Sequence, residues 1–176
     1  SKNVSPMAMA GAYATVANGG KYCQPTAIDS ITGPNGEAIE PPKTTCEQVI
    51  SPEVAATAAH ALQRVMSSGT GTPSNTWDGT PLIGKTGTDD SFHTAMVESS
   101  SKVATAVWVG NYRDRVSLWN NSVNGVRLSY VRHKLAPAIQ RAANAAYGSD
   151  RFPQPDPKLT RPVLKDLPNV IGKSIE

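Results

Sequence analysis

The apolar positions of the chain predict three helices, each with a start signal before it and a stop signal after it. These pairs of signals are Ser5-Pro6 with Gly19-Gly20, Ser51-Pro52 with Gly69, and Ala136-Pro137 with Gly148. Serine accepts a hydrogen bond from the first turn, proline fits the first helical position, and glycine lets the chain leave the helix. Alanines and Gly11 lie on both faces of the first helix, so we expect that helix to be buried and closely packed.

Strand patterns occupy the region between the second and third helices. The predicted strands are 82–88, 94–99 and 103–111, and 99–102 is the predicted hairpin connection between the last two. The segment 103–109 is apolar on both faces, so we expect a central strand covered on each side. Asn35-Gly36 predicts a separate small hairpin. This order of elements predicts an α+β fold in which helices pack on an antiparallel sheet.

The composition changes after Gly148. Prolines recur in 151–162, which predicts an extended linker, and a short new segment follows at 163–176. We therefore divide the chain into a main domain of 1–150, the linker, and the start of a second domain. Neither end looks like a natural terminus, so we expect a fragment of a longer protein.

Composition and charge narrow the class of protein. The chain has 176 residues, of which 39% are hydrophobic, which is enough for one domain with a sizeable core. Its net charge of +3 is small and dispersed, so no nucleic-acid partner is expected. No stretch reaches the roughly 18 consecutive apolar residues of a membrane span.

The two cysteines, Cys23 and Cys46, lie away from histidines and have no metal-ligand spacing. No metal site and no cofactor are therefore expected. A disulfide between them would suit an oxidising, extracytoplasmic location. Two reduced cysteines are the alternative.

The segment "PLIGKTGTDD" places Lys85-Thr86-Gly87-Thr88 at the end of a predicted strand. Lys85 would be a fixed cation that lowers the cost of a developing anion. Gly87 would let a ligand lie against the strand, and the hydroxyls of Thr86 and Thr88, which point to one face, could bind one carboxylate. A three-residue motif is common by chance, so its context decides its meaning.

Four segments supply that context: "NVSPMAMAGAYATVANGGKYCQPTAI", "SGTGTPSN", "PLIGKTGTDD" and "VATAVWVGN". In this order they resemble the transpeptidase domain of the bifunctional (class A) penicillin-binding proteins, and the chain looks like the C-terminal part of that domain. The terminal "LPNVIGKSIE" looks like the opening of a PASTA repeat. The resemblance implies the penicillin-binding protein and serine β-lactamase-like fold.

The resemblance also implies a chemistry and a location. Members of the family are serine acyltransferases with S-x-x-K, S-x-N and K-T-G motifs. They cross-link peptidoglycan stem peptides that end in D-Ala-D-Ala. Lys85 would be catalytic, and Thr86, Gly87 and Thr88 would bind the stem peptide or a β-lactam. The parent would be anchored on the extracytoplasmic face of the bacterial plasma membrane and would also carry a glycosyltransferase.

Two stretches match the remaining motifs in the wrong context. Ser99-Ser100-Ser101-Lys102 spells S-x-x-K but follows K-T-G and falls in a predicted turn. Ser1-Lys2-Asn3 spells S-x-N but directly precedes the first family segment. We therefore expect the nucleophile and the S-x-N motif upstream, outside this chain. Ala95-Met96 stands where the family usually carries an aromatic pair, so the rim of the site departs from the family pattern.

Other polar and aromatic residues receive structural interpretations. We expect His60 at the edge of the core and His133 at the surface, whereas His93 and Trp77 lie near enough to the motif to contact a ligand. Two alternatives to transpeptidation remain open. One is a D,D-carboxypeptidase or β-lactamase with water as acceptor, and the other is a non-enzymatic penicillin-sensing or peptidoglycan-binding domain.

Overall fold

The structure is a computed structural model and describes residues 4–160. It has four α-helices, two short 3-10 helices and nine strands over this range. The helices are α1 (Pro6–Ala17), α2 (Pro52–Ser68), α3 (Arg132–Tyr147) and α4 (Pro157–Thr160). The strands are β1 (Lys21–Cys23), β2 (Ile31–Thr32), β3 (Ala38–Ile39), β4 (Cys46–Gln48), β5 (Ile83–Asp89), β6 (His93–Ser99), β7 (Ala104–Gly110), β8 (Ser122–Val123) and β9 (Val126–Arg127). The predicted α+β class is confirmed.

The main sheet is an antiparallel meander in the order β5-β6-β7. Its register places Lys85 opposite Val97 and Met96 opposite Val107. The predicted hairpin connection at 99–102 is confirmed, with the Ser100 N–H donating to the Val103 carbonyl at 3.0 Å. The prediction of a central strand at 103–109 is wrong for the described chain, because β7 pairs only with β6 and Trp108 is 43% exposed.

Helices cover the two faces of this sheet. On one face, Tyr13, Val16 and Ala17 of α1 pack against a buried cluster of Ala59, Ile83 and Phe152. On the other face, Ala136 of α3 packs in a cluster with four further side chains. Those four are Met66, Leu82, Met96 and Val107. Because α2 supplies Ala59 to one cluster and Met66 to the other, it lies along the β5 edge.

The helix starts follow the local signals at two of the three positions. Ser5 Oγ accepts from the Ala8 N–H at 3.1 Å, and Ser51 Oγ accepts from the Val54 N–H at 3.4 Å, so both predicted caps are confirmed. In contrast, α3 begins at Arg132 and contains Pro137. The start predicted at Ala136-Pro137 was wrong because tertiary packing of the preceding turn outweighs the one hydrogen bond that a proline removes.

The first helix is less buried than its composition suggests. Only Thr15 of α1 is buried within the described residues, and Met7 is 70% exposed. The prediction of a buried α1 is therefore wrong for the described residues, because residues 4–160 do not supply a layer that covers this helix.

A small subdomain lies between α1 and α2. The hairpin predicted at Asn35-Gly36 is confirmed, with β2 pairing β3 and Gly36 at φ +83°. Strands β1 and β4 pair with Cys23 opposite Cys46, and the structure joins these two cysteines by a disulfide.

The predicted linker is partly packed on the main domain. Phe152 is buried against the α2 side of the core, and α4 contacts α2. The packed part of the chain therefore extends into the predicted linker. The segment 163–176 and Ser1-Lys2-Asn3 lie outside the described residues. Among residues 4–160, none of the helices combines the length and hydropathy needed to cross a bilayer.

Candidate functional site around the K-T-G-T strand

The K-T-G-T segment lies in β5 and changes from buried to exposed along its length. Ile83 and Gly84 are buried, whereas Lys85 and Thr88 are exposed. The Lys85 Nζ donates to the Thr86 carbonyl at 3.1 Å. In the part of the chain that the structure describes, β5 has a strand neighbour only on its β6 side. The ammonium group is therefore held loosely at an open edge of the sheet.

The hydroxyl groups of the motif are held more firmly. Thr86 Oγ1 lies 2.8 Å from Thr70 Oγ1, in the loop that precedes the strand. Arg132 Nη1 donates to the Gly87 carbonyl at 2.6 Å and to Thr88 Oγ1 at 3.2 Å. The motif is thus fixed by one contact from the preceding loop and by two from the beginning of α3.

Gly87 keeps the surface of the strand open. Among residues 4–160, and apart from its chain neighbours, a Cβ at this position would have the Ala95 Cβ, at 3.4 Å, as its only neighbour within 4 Å. A groove of about 700 Å³ runs past Gly87 and Thr88. The backbone at Gly87 is therefore accessible from the groove.

Aromatic and acidic side chains form the far wall of this groove, and Lys85 is not part of its lining. The rings of His93 and Trp108 lie 5.4 Å apart, and His93 Nδ1 is 3.6 Å from Asp89 Oδ2. Ala95 lies on the same wall, where the family usually places an aromatic residue. His93 is therefore placed to contact a ligand, whereas the structure leaves Trp77 68% exposed in the loop before the strand.

Three residues at the site were missed or misinterpreted in the sequence. His133, expected at the surface, is buried, and its Nδ1 lies 2.7 Å from Ser74 Oγ. Its Nε2 accepts from Arg132 Nε at 3.1 Å. Burial and the neighbouring Arg132 charge lower the pKa of His133 to about 4, so the ring is neutral. The expectation failed because Ser74, which lies against the buried ring, is 59 positions away in sequence.

The loop before the strand is also tied to the other end of α3. Asn144 Nδ2 donates to Asp78 Oδ2 at 3.2 Å, and Thr76 Oγ1 donates to Asp78 Oδ1 at 2.8 Å. Burial alone would raise the pKa of Asp78, but hydrogen bonds from Thr80, Thr76 and Asn144 together lower it to about 2. The loop is therefore fixed both to the beginning of α3 and to the end of that helix.

The S-x-x-K match at Ser99 is a turn. Ser99 Oγ donates to the Ser100 carbonyl at 2.6 Å, and the side chain is buried. Lys102 Nζ pairs with Asp150 rather than with Ser99. This geometry leaves Ser99 without a lysine base and without access to a substrate.

Comparison with known proteins places the chain in a family. The family described as "Penicillin binding protein transpeptidase domain" matches residues 1–122. Because this match covers more than half of the sequence, the chain belongs to the penicillin-binding protein transpeptidase family.

Two curated relatives and one solved structure define the extent of the similarity. Penicillin-binding protein 1A of Aquifex aeolicus is 35% identical over 108 residues, covering 61% of this chain and 15% of that protein. Penicillin-binding protein 1F of Bacillus subtilis is 35% identical over 119 residues, covering 62% of this chain and 16% of that protein. The PonA1 protein of Mycobacterium tuberculosis, solved in complex with penicillin V, superposes with a TM-score of 0.72 and 25% identity, over 86% of this chain and 41% of that one. The chain thus spans less than half of the relatives that it matches.

Proposed function

We propose that this chain is the part of a peptidoglycan D,D-transpeptidase that carries its K-T-G-T strand. The observation that carries the proposal is the arrangement on β5. Lys85 carries an exposed ammonium group that donates to the Thr86 carbonyl, and on the other face of the same strand Thr70 and Arg132 hold the hydroxyls of Thr86 and Thr88 in place. A cation and two anchored hydroxyl groups on one strand suit a site that stabilises developing negative charge and binds a carboxylate. Membership of the transpeptidase family supports this assignment.

The proposed reaction is acyl transfer through a serine outside this chain. The serine oxygen attacks the carbonyl carbon of the D-Ala-D-Ala peptide bond, and the carbon–nitrogen bond breaks. The serine proton reaches the departing nitrogen, so D-alanine leaves and the remaining peptide stays on the serine as an ester. An amine of a neighbouring stem peptide then attacks this ester, loses its proton and releases the serine.

Each residue of the motif has a proposed part in this reaction. Lys85 supplies positive charge and completes the polar network through which the proton moves. Thr86 and Thr88 bind the terminal carboxylate of the stem peptide or the carboxylate of a β-lactam. Gly87 leaves room for the bound peptide against the strand.

The S-x-x-K and S-x-N motifs of the site would come from polypeptide upstream of this chain. Two observations support a covering layer from elsewhere: α1 is apolar yet largely unburied, and β7 has one strand neighbour among residues 4–160. The superposed PonA1 chain, of which this chain covers 41%, is long enough to supply such a layer. We propose that upstream residues pack against α1 and β7.

The parent is proposed to be a bifunctional, class A enzyme. Its curated relatives carry the names 1A and 1F, in support of this class. A glycosyltransferase and a membrane anchor would lie elsewhere in the parent, and 163–176 would begin a PASTA module after the linker of 151–162. The Cys23–Cys46 disulfide supports an oxidising compartment and hence the extracytoplasmic side of the membrane.

Labelling by a fluorescent penicillin tests the proposed function, using the transpeptidase domain that contains this chain together with its upstream half. Wild-type protein should label covalently. Lys85→Ala should lower the acylation rate constant by about 10²- to 10³-fold, because the fixed positive charge is lost. Lys102→Ala is the matched control: it removes an exposed lysine that pairs with Asp150, so labelling should be unchanged.

Three results would contradict the proposal in different ways. If Lys85→Ala labels at the wild-type rate, the role given to Lys85 is wrong. If the wild-type protein releases the bound drug rapidly, it is a carboxypeptidase or β-lactamase. If it never labels and does not turn over a stem-peptide mimic, the domain is non-enzymatic.

A further inference from the structure

A continuous chain of hydrogen bonds connects the loop before β5, the start of α3 and the K-T-G-T strand. It runs from Ser74 through His133 and Arg132 to the Gly87 carbonyl and the Thr88 hydroxyl. The successive donor–acceptor distances are 2.7, 3.1, 2.6 and 3.2 Å, the last two both from Arg132 Nη1. Ser74 and His133 are both buried, so this series of hydrogen bonds begins in the core and ends at the exposed site.

The direction of every bond in this chain follows from the arginine. A guanidinium group only donates, so His133 Nε2 must be the acceptor from Arg132 Nε. His133 is neutral, and its one ring hydrogen therefore lies on Nδ1 and is donated to Ser74 Oγ. This assignment leaves no freedom of tautomer, and it fixes the plane of the Arg132 guanidinium group.

The same reasoning sets the direction of the Thr88 hydroxyl. Because Arg132 Nη1 donates to Thr88 Oγ1, the hydroxyl hydrogen of Thr88 must point away from Arg132. Thr88 is exposed and lines the groove, so its hydrogen is available to a ligand. A hydroxyl that accepts from a cation is also a stronger donor, since hydrogen bonds in a chain polarise one another.

We propose that Arg132 is a positioning residue, held by His133 and Ser74, that fixes the Thr88 hydroxyl as a donor to the carboxylate of the bound peptide or β-lactam. The inference rests on the proposed function, because it assumes that the groove beside Thr88 receives a carboxylate. It adds residues from outside the K-T-G-T motif to that site. It also explains why a histidine next to a cationic arginine is buried in a neutral form.

Arg141 provides a natural comparison on the same helix. Its Nη2 donates to the Thr76 carbonyl at 2.9 Å, so it also fastens α3 to the loop before β5. In the part of the chain that the structure describes, no hydrogen bond joins Arg141 to the K-T-G-T strand. Loss of Arg141 should therefore weaken packing without changing how the site recognises a carboxylate.

The test compares acylation by penicillin V and by its methyl ester, which lacks the negative charge, in the transpeptidase domain with its upstream half. The measured quantity is the acylation rate constant for penicillin V divided by that for the ester. We expect Arg132→Gln to lower this ratio by roughly 10- to 100-fold, the range for a lost charge-assisted hydrogen bond. Arg141→Gln should leave the ratio unchanged. Equal slowing of both compounds by Arg132→Gln would overturn the inference, because a purely structural role affects both alike.

Two further variants cover the case in which Arg132→Gln does not fold. Arg132→Lys keeps a cation but cannot donate to His133 and to β5 together, so an intermediate fall in the ratio is expected. Thr88→Val combined with Arg132→Lys should be no worse than Thr88→Val alone if arginine acts through Thr88. Additive losses, or an unchanged ratio in Arg132→Lys, would overturn the inference.

The outcome for the wild-type protein separates this inference from the proposed function. A wild-type domain that reacts with penicillin V, together with Arg132 variants that keep the wild-type ratio of acid to ester rates, would refute only the role of Arg132. A wild-type domain that reacts with neither compound would refute both.

Discussion

The two faces of β5 differ in how much of their surroundings this chain supplies. On the face that points to α3, this chain supplies the contacts that position the motif: Thr86 is held by Thr70, Thr88 is held by Arg132, and Gly84 is buried. The opposite face is open from Lys85 onwards. There the ammonium group contacts the Thr86 carbonyl, and the groove begins at Gly87.

This difference separates binding from chemistry. The groups that would hold a carboxylate are positioned by contacts within residues 4–160. The groups that would move protons depend on Lys85 and on side chains from elsewhere in the proposed parent. A transpeptidase site divided in this way can keep its recognition geometry even where its nucleophile belongs to another segment.

The largest difference between the two faces of β5 is expected at two of its glycines, Gly84 and Gly87. A Cβ at Gly84 would lie 2.5 Å from Met66 Sδ and 2.9 Å from Met96 Cε, whereas one at Gly87 would lie 3.4 Å from the Ala95 Cβ, its nearest neighbour among the described residues. We expect Gly84→Ala to lower the free energy of unfolding by about 1–3 kcal/mol, the usual cost of overpacking. Gly87→Ala should leave stability nearly unchanged and slow penicillin acylation by roughly 5- to 150-fold, the same energy range applied to a ligand.

Urea unfolding and acylation rates, measured on both glycine variants, decide this prediction. Each variant is the control for the other, since both add one methyl group to β5. If Gly87→Ala destabilises the protein and leaves acylation intact, the face that we describe as open is a packing surface.

A second comparison concerns the pH dependence of stability, which we expect to depend on Glu98, a buried acid on β6. Glu98 is fully buried on the α3 face, and neither carboxylate oxygen has a hydrogen-bond partner among the described residues. Burial raises the pKa of Glu98 from its ordinary value of 4.5 to about 8. The native protein therefore holds a proton that the unfolded chain releases above pH 4.5, so stability is full below that pH and falls as pH rises towards 8.

Glu98→Gln should remove this dependence, because glutamine does not titrate. We expect wild-type stability to fall between pH 5 and 8 by at most about 1.4 kcal/mol per pH unit, and the variant to show a flatter profile. Urea unfolding at several pH values, with both proteins in the same buffers, measures the two slopes. Equal slopes would mean that Glu98 is ionised in the native state.

Local signals predicted the parts of the fold that depend on neighbours in sequence. Ser5 and Ser51 cap their helices as expected, and the K-T-G-T segment lies on a strand within a residue of the predicted limits. These features follow from backbone propensity and from side chains within one turn.

The contacts that hold the site could not be predicted in the same way. Arg132 reaches Gly87 across 45 positions of sequence, and His133 reaches Ser74 across 59. A single sequence contains no signal for such pairs, because each residue type has many possible partners. The prediction of a central strand at 103–109 failed for a related reason. Its apolar pattern indicates that both faces are covered, but it does not show which polypeptide covers them.

The smallest expected effect concerns the loop contact to the strand. Thr70→Val removes the hydroxyl that lies 2.8 Å from Thr86 Oγ1, while Thr72→Val removes one that donates only to the Gly69 carbonyl. Both are loop threonines, and the Thr70 contact is exposed, so the loss of one neutral hydrogen bond should cost about 1 kcal/mol or less. We expect Thr70→Val to slow acylation by penicillin V up to about fivefold and Thr72→Val to leave it unchanged. If the two variants behave alike, Thr86 is positioned by β6 alone, and only Arg132 anchors the α3 face of the motif.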